Sequence, residues 1–159
     1  MAFVGTDINT ITYIRSAAEF DRARMNSFWD TLLSFVLRRP ISLLSFNDIV
    51  KTLEPVQSTT LGLRDVPVKD IVGSVGRSRG FSRRFLPRFC NPHDKERWRK
   101  LYTLAVTGVG VPPVELYKIG SQYFVEDGHH RVSVAKYLGW ETIQAQVVEV
   151  SALADKPSS

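Results

Sequence analysis

Apolar residues recur at helical spacing through the first third of the chain and at alternate positions through its last third. Phe20, Phe28, Leu32, Phe35 and Val36 carry the first pattern, with Arg22, Arg24, Asp30 and Arg38 falling largely between them, which predicts an amphipathic helix. Ser16 followed three residues later by Glu19 has the form of a capping box, so the helix is expected over 17–38, bounded by Pro40. A second start, Ser45 with Asp48 three on, predicts a short helix ending before Pro55. Together they form an expected helical arm over 1–56.

The stretch Gln57 to Gly62 has no periodicity and reads as a linker. Val66, Val68 and Ile71 to Val72 then form a short alternating run typical of a strand, followed by Gly73, Gly76 and Gly80 in a loop with several positions free to adopt positive φ. Asn91, Pro92 and Asp94 supply an N-cap, a first-turn proline and a first-turn acid for a helix over 92–107. Its apolar stripe is Trp98, Leu101, Leu104 and Ala105, and Gly108 closes it. Runs at Val114–Ile119 and Gln122–Glu126 flank Gly120-Ser121, the signature of a hairpin with a type II′ turn. A helix over His129–Leu138, capped by Gly139, and a strand over Ile143–Val150 complete the pattern. The expected fold class is α+β: a small mixed sheet with helices over 57–153, preceded by the helical N-terminal arm and followed by a frayed tail over 154–159.

With 159 residues and 43% hydrophobic content a core of ordinary domain size is within reach. No apolar run approaches the roughly 20 residues of a membrane span, and no membrane partner is expected. The single cysteine, Cys90, excludes an internal disulfide and a cysteine-rich zinc cluster and agrees with a cytoplasmic protein; nothing local marks it as an activated nucleophile. The net charge of +5 is concentrated. Residues 77–100 hold nine Lys/Arg against Asp94 and Glu96, a local excess of +7, which raises the potential toward polyanions. Within it, Arg79, Arg83, Arg84 and Arg88 interleave with Phe81, Phe85 and Phe89. That pattern suits phosphate contacts beside base-stacking rings, although the aromatics, with Leu86, equally suit core anchors and the arginines a solvated basic face.

The candidate chemistry lies in YFVEDGHHRVSV, residues 123–134. A glycine turn from a strand into a helix offers an anion the positive end of the helix dipole and its first amides. Gly128 supplies the turn; Asp127 falls near the N-cap; His129, His130 and Arg131 occupy the first turn, where they add donors to a phosphate oxygen. A cation such as Arg131 opposes the dipole by a few tenths to about 1 kcal/mol, so an anion is expected to offset it. The same residues also suit a plain cap and turn with polar surface histidines. Adjacent helical residues point about 100° apart and cannot share a zinc ion easily, whereas magnesium suits Asp127 or Glu126 together with ligand phosphates.

The order of strand, GSVGR loop, helix, PPVELYKI strand, YFVEDGHHR turn, helix and final strand over about 64–150 resembles the ParB/sulfiredoxin superfamily. VEDGHHRVSVAKYLG is similar to the segment where ParB proteins carry Gly-Glu-Arg-Arg, sulfiredoxins Gly-Cys-His-Arg and the free-serine kinases of this fold Asp-Gly-His-x-Arg. The resemblance implies a nucleotide cofactor, CTP or ATP, as tri- or diphosphate, with Mg2+. It also implies phosphate-binding roles for Gly128, His129, His130 and Arg131 and a metal or acid/base role for Asp127. Arg77 stands where ParB proteins carry an arginine near the nucleotide, and Ser74, Gly76 and Arg77 would complete the site. A histidine stands in place of the sulfiredoxin cysteine, so sulfinic-acid reduction is not expected, and no helix-turn-helix follows the motif.

Three functions compete. The first is a nucleotide-binding module associated with nucleic acid, DNA being the expected partner. The second is a small-molecule kinase or nuclease with Asp127 or Glu126 as base. The third is an adaptor acting through its helical arm, whose aromatic-rich helix suits a homodimer or partner surface.

Overall fold

A computed structural model describes residues 8–76, 80–88 and 91–153. Its elements run α1 (Ile8–Val36), β1 (Leu44–Ser45), α2 (Phe46–Leu53), β2 (Val56–Pro67), a 3₁₀ turn (Val68–Asp70), β3 (Ile71–Ser74), α3 (Pro92–Val106), β4 (Val114–Ile119), β5 (Gln122–Asp127), α4 (His129–Tyr137) and β6 (Thr142–Ala152). The six strands form one sheet in the order β1-β3-β5-β4-β6-β2. β1 with β3, β3 with β5 and β4 with β6 are parallel; β4 with β5 and β6 with β2 are antiparallel. The class is α+β with a mixed sheet, as expected. Among the described residues no helix is long and apolar enough to cross a membrane.

Period-two alternation places Phe124 and Val125 on opposite faces of β5. One face buries Val125, Val114, Leu116, Ala145 and Val147 against Val132 and Ala135 of α4 and against Phe81 and Phe85. Phe124 packs on the other face with Phe46 of α2 and Val150. A third cluster joins the helices: Phe20 and Ala23 of α1, Trp98 of α3 and Val134 of α4, with the Trp98 indole donating to Ser133 Oγ at 3.0 Å.

The hairpin and α3 form as the sequence foretells. Asn91 caps α3 by accepting from the His93 amide at 2.9 Å, with Pro92 in the first turn. Gly120, φ 59°, sits at the first turn position between Ile119 and Gln122.

Several expectations need correction. The first helix begins at Ile8, so Ser16 is an interior residue whose hydroxyl donates to the Tyr13 carbonyl at 2.5 Å instead of capping. Its buried face is Ser16, Phe20, Ala23, Ser27 and Ser34, because small side chains let α1 lie close on α3 and on the 81–88 segment. Phe28, Leu32, Phe35 and Val36 face outward. Ser45 does hold the N-cap of α2, without a side-chain bond. Gln57 to Gly62 is no linker: it is the first half of β2, antiparallel to β6, with a bulge at Leu61 and Gly62 in the left-handed region at φ 76°. The Val66-to-Val72 run divides between the end of β2, the 3₁₀ turn and β3.

Gly73 lies in β3 at ordinary φ. A Cβ there would stand 2.4 Å from Phe124 Cδ1 and 2.5 Å from the Leu44 carbonyl oxygen, so close approach fixes this glycine rather than positive φ. The 1–56 boundary does not separate packing units, since β1 extends the sheet beside β3 and Leu43 joins the main core. The expected tail over 154–159 lies outside the described residues.

Candidate functional site

β3 and β5 run parallel and end side by side. Beyond their ends Val75, Gly76 and the 126–131 turn line a cleft of about 800 Å³, closed on the far side by α3. β5 delivers Glu126 and Asp127, and Gly128 turns the chain into α4 at φ 100°, ψ 27°, a left-handed conformation that L side chains rarely adopt. A Cβ at Gly128 would also meet Val114 Cγ1 at 2.6 Å. As Gly128 carries no side chain, no capping group of its own covers the N-cap, and the positive end of the α4 dipole opens on the cleft.

The first-turn side chains are more engaged than a free phosphate cradle requires. Arg131 donates to Asp127 Oδ2 at 2.6 Å and to the carbonyls of Pro112 and Pro113 at 3.3 and 2.5 Å. The cation at the helix start is therefore offset within the chain, and the expectation that an anion must offset it does not hold. Ser74, 1% exposed, accepts from the Gly76 amide at 3.3 Å and lies 2.6 Å from His129 Nε2. It supports the wall through His129 rather than lining the cleft. His130 Nε2 lies 3.2 Å from Asp94 Oδ1, and both histidines, each 7% exposed, pack against Phe81. Glu126 is exposed at the mouth. Among the described residues no group of three or more His, Cys, Asp or Glu is placed to hold a metal; with Asp127 Oδ2 on Arg131, a magnesium ion would depend on the ligand's own oxygens.

Arg77 and Arg79 lie outside the described residues, as do Phe89 and Cys90. The second wall that the described structure brings to the cleft is the polar face of α3: His93, Glu96, Arg97 and Lys100. Their spacing places them on one helical face, a signal present in the sequence but overlooked. Lys100 pairs with Glu96 at 2.9 Å, which raises the amine's pKa and lowers the carboxyl's, each chiefly through their hydrogen bond.

The basic block is not one surface. Lys95 and Arg99 turn to α1: Lys95 reaches Asp21 at 3.3 Å, while Arg99 donates to Ser16 Oγ and the Tyr13 carbonyl and lies over the Tyr13 ring. Arg88 donates to Thr31 Oγ1 at 3.3 Å. Arg83 and Arg84 are exposed at the far end of α4 from the cleft. Phe81 and Phe85 are 2% and 0% exposed, so they are core anchors and unavailable for base stacking.

No family model matches the chain, nor does any curated protein. Among solved structures the chain is similar to sulfiredoxin from Arabidopsis thaliana, with 19% identity and a TM-score of 0.38 over 54% of this chain and 82% of that one. A superposition that loose carries over neither residues nor an activity. Fold class and cleft therefore stand on this chain's own geometry: a mixed-sheet α+β domain whose parallel strands β3 and β5 end at a helix start facing a polar helix.

Proposed function

We propose that the protein is a nucleotide-binding module of the ParB-like kind, holding phosphates at the 126–131 turn. The observation that carries the reading is the conjunction at one cleft of a left-handed glycine N-cap without a side-chain cap and the facing Arg97 and Lys100. The helix start supplies directed donors and partial positive charge, and α3 supplies full charges on the opposite wall. The cleft's volume falls in the range of small-ligand sites. In this reading magnesium arrives with the nucleotide, and Asp127 and Glu126 are the carboxylates within its reach. Nucleic acid, DNA in particular, is the proposed partner of the nucleotide-bound module.

A thermal-shift screen of CTP, ATP and GTP with magnesium tests it. At about 100 times Kd a ligand adds about 2.7 kcal/mol, roughly 5–10 °C of Tm. The shift should shrink in Arg97→Ala and Arg131→Ala. An unchanged Tm with every nucleotide rejects the reading.

One observation favours a second reading, an adaptor or homodimer acting through α1. Phe28, Trp29, Leu33, Phe35 and Val36 are each at least 58% exposed on that helix, an apolar face of the kind that marks interaction surfaces. Sedimentation of wild type against Phe28→Ser with Phe35→Ser would show a lost dimer if the face self-associates.

A further inference from the structure

The elements that build the cleft have a second end. Ile71 of β3, Gln122 of β5 and Lys136 of α4 line a recess of about 810 Å³ at the opposite ends of these elements, walled by the C-terminal half of α1. Nine residues of α4 separate the two sites, about 13 Å of helix. The recess is lined by Arg39, Lys69, Arg83, Arg84 and Lys136, and by a single carboxylate, Asp30. Five cations thus face one anion, and none of the five makes a salt bridge among the described residues. The cleft differs: Arg97, Lys100 and Arg131 are balanced by Glu96, Glu126 and Asp127, and two of these pairs are in contact. Among the described residues the recess therefore gathers more cations without an ion pair than the cleft does.

The backbone of the arginine turn and the Lys136 amine are held in place. Ser82 Oγ accepts from the amides of Arg84 and Leu86 at 3.2 and 3.3 Å, tying the turn that presents Arg83 and Arg84. The same turn fixes Phe85 at φ 60°, a costly conformation for an aromatic residue, by burying it completely. Lys136 extends over the Phe85 ring at 5.2 Å and donates to the Ile71 carbonyl at 2.7 Å. Burial first, and then Arg84, lower its pKa from 10.5 to about 8, against the opposing pull of Asp70. Like charges crowd here, and Asp70 only partly opposes their effect on Lys136.

We infer that this recess is a second anion site, distinct from the cleft, which takes a compact phosphate or pyrophosphate group through Arg83, Arg84 and Lys136, with Arg39 and Lys69 at the rim. A compact ion fits better than a nucleic-acid strand because the five cations line one hollow walled by α1 instead of tracking along a stripe. Asp30 on the α1 wall repels an anion from that side and directs it toward the arginine turn. The proposal does not depend on nucleotide binding at the cleft.

The test uses the full chain in a buffer free of phosphate and sulfate, titrated with inorganic pyrophosphate and followed by calorimetry and amide NMR. Binding should be roughly millimolar or tighter, with shifts at Ile71, Gln122 and Lys136 to Trp140. Arg84→Ala, an exposed position with no role in the core, should weaken it about tenfold, and Arg84→Ala with Lys136→Met should abolish it. Arg97→Ala, in the cleft, should leave it unchanged. No binding of pyrophosphate, or binding lost in Arg97→Ala but kept in Arg84→Ala, overturns the proposal. So does sulfate binding as tightly as pyrophosphate, which marks general counterion uptake. A single-stranded oligonucleotide outcompeting pyrophosphate through the same arginines would likewise replace the compact ligand with a strand.

Discussion

Lys136→Met replaces a charged amine by an apolar side chain of similar length at the floor of the recess. At pH 7 the amine is charged in both folded and unfolded chains, yet its pKa falls from 10.5 to about 8 on folding, chiefly through burial and then through Arg84. Holding that charge costs the folded state about 3 kcal/mol. Methionine removes the cost but also the hydrogen bond to the Ile71 carbonyl, worth about 1 kcal/mol, so the variant should be more stable by about 2 kcal/mol. The sign with pH is fixed. Below about pH 8 both states are protonated and the cost is full. Between 8 and 10.5 the native chain has lost the proton that the unfolded chain keeps, so wild-type stability rises with pH and the advantage of methionine shrinks. Urea unfolding at pH 7 and at about pH 9.5 reads this directly, with about 2 kcal/mol less advantage at the higher pH. A variant less stable than wild type at pH 7, or an advantage that does not change with pH, refutes the account of Lys136 as a crowded, desolvated cation.

Gly128→Ala should cost about 2–4 kcal/mol by denaturant unfolding, because φ 100° strains any L residue and the new methyl meets Val114 Cγ1 at 2.6 Å. Trp98→Phe leaves Ser133 Oγ buried without the indole donor and should cost about 2 kcal/mol, read as a lower Tm. Tyr137 donates to Glu19 at 2.5 Å, and burial first, then that carboxylate, hold its pKa above the ordinary 10. Its contribution is full below pH 10 and is lost as pH rises further, so Tyr137→Phe should flatten the alkaline fall in stability measured between about pH 9 and 11. Chelating magnesium should remove any Tm shift produced by a nucleoside triphosphate, since the cleft's own cations are largely paired, while leaving pyrophosphate binding at the recess intact.

The fold was legible where local chemistry and burial agree. Asn91-Pro92 opens α3 because side-chain capping and fixed φ both act within the first turn, and Gly120 sets the hairpin because positive φ selects glycine. β2 was illegible for the opposite reason. Its first half, Val56 to Thr60, is exposed on both faces of an edge strand, so nothing alternates, and only backbone bonds to β6, about 90 residues away in sequence, define it. The face of α1 was misassigned because hydrophobic periodicity finds the largest apolar stripe, whereas the packed face consists of serines and an alanine around Phe20. At the site, Gly128 and the strand-to-helix turn could be anticipated from spacing alone. The partnership of Arg131 with the Pro112 and Pro113 carbonyls could not, since it joins elements that only the sheet brings together.

Charge density along a sequence also fails to predict charge density in space, for a physical reason visible in residues 83–100. A helix distributes successive side chains around its axis by about 100° each, so Lys95 and Arg99 point to α1 while Arg97 and Lys100 point to the cleft. The turn at Ser82 sends Arg83 and Arg84 to the other end of the domain, where Arg39, Lys69 and Lys136 arrive from three separate elements. Proximity to carboxylates then decides what remains. On α3, Lys100 and Lys95 find Glu96 and Asp21 within 3.3 Å, and the field of these two is largely spent on those partners. Those in the recess have Asp30 as the one lining carboxylate, with Asp70 acting on Lys136 from outside the lining. Among the described residues the larger excess of lining cations over carboxylates is therefore built from residues remote in sequence, and the cleft, where a helix start faces a polar helix, carries the smaller one.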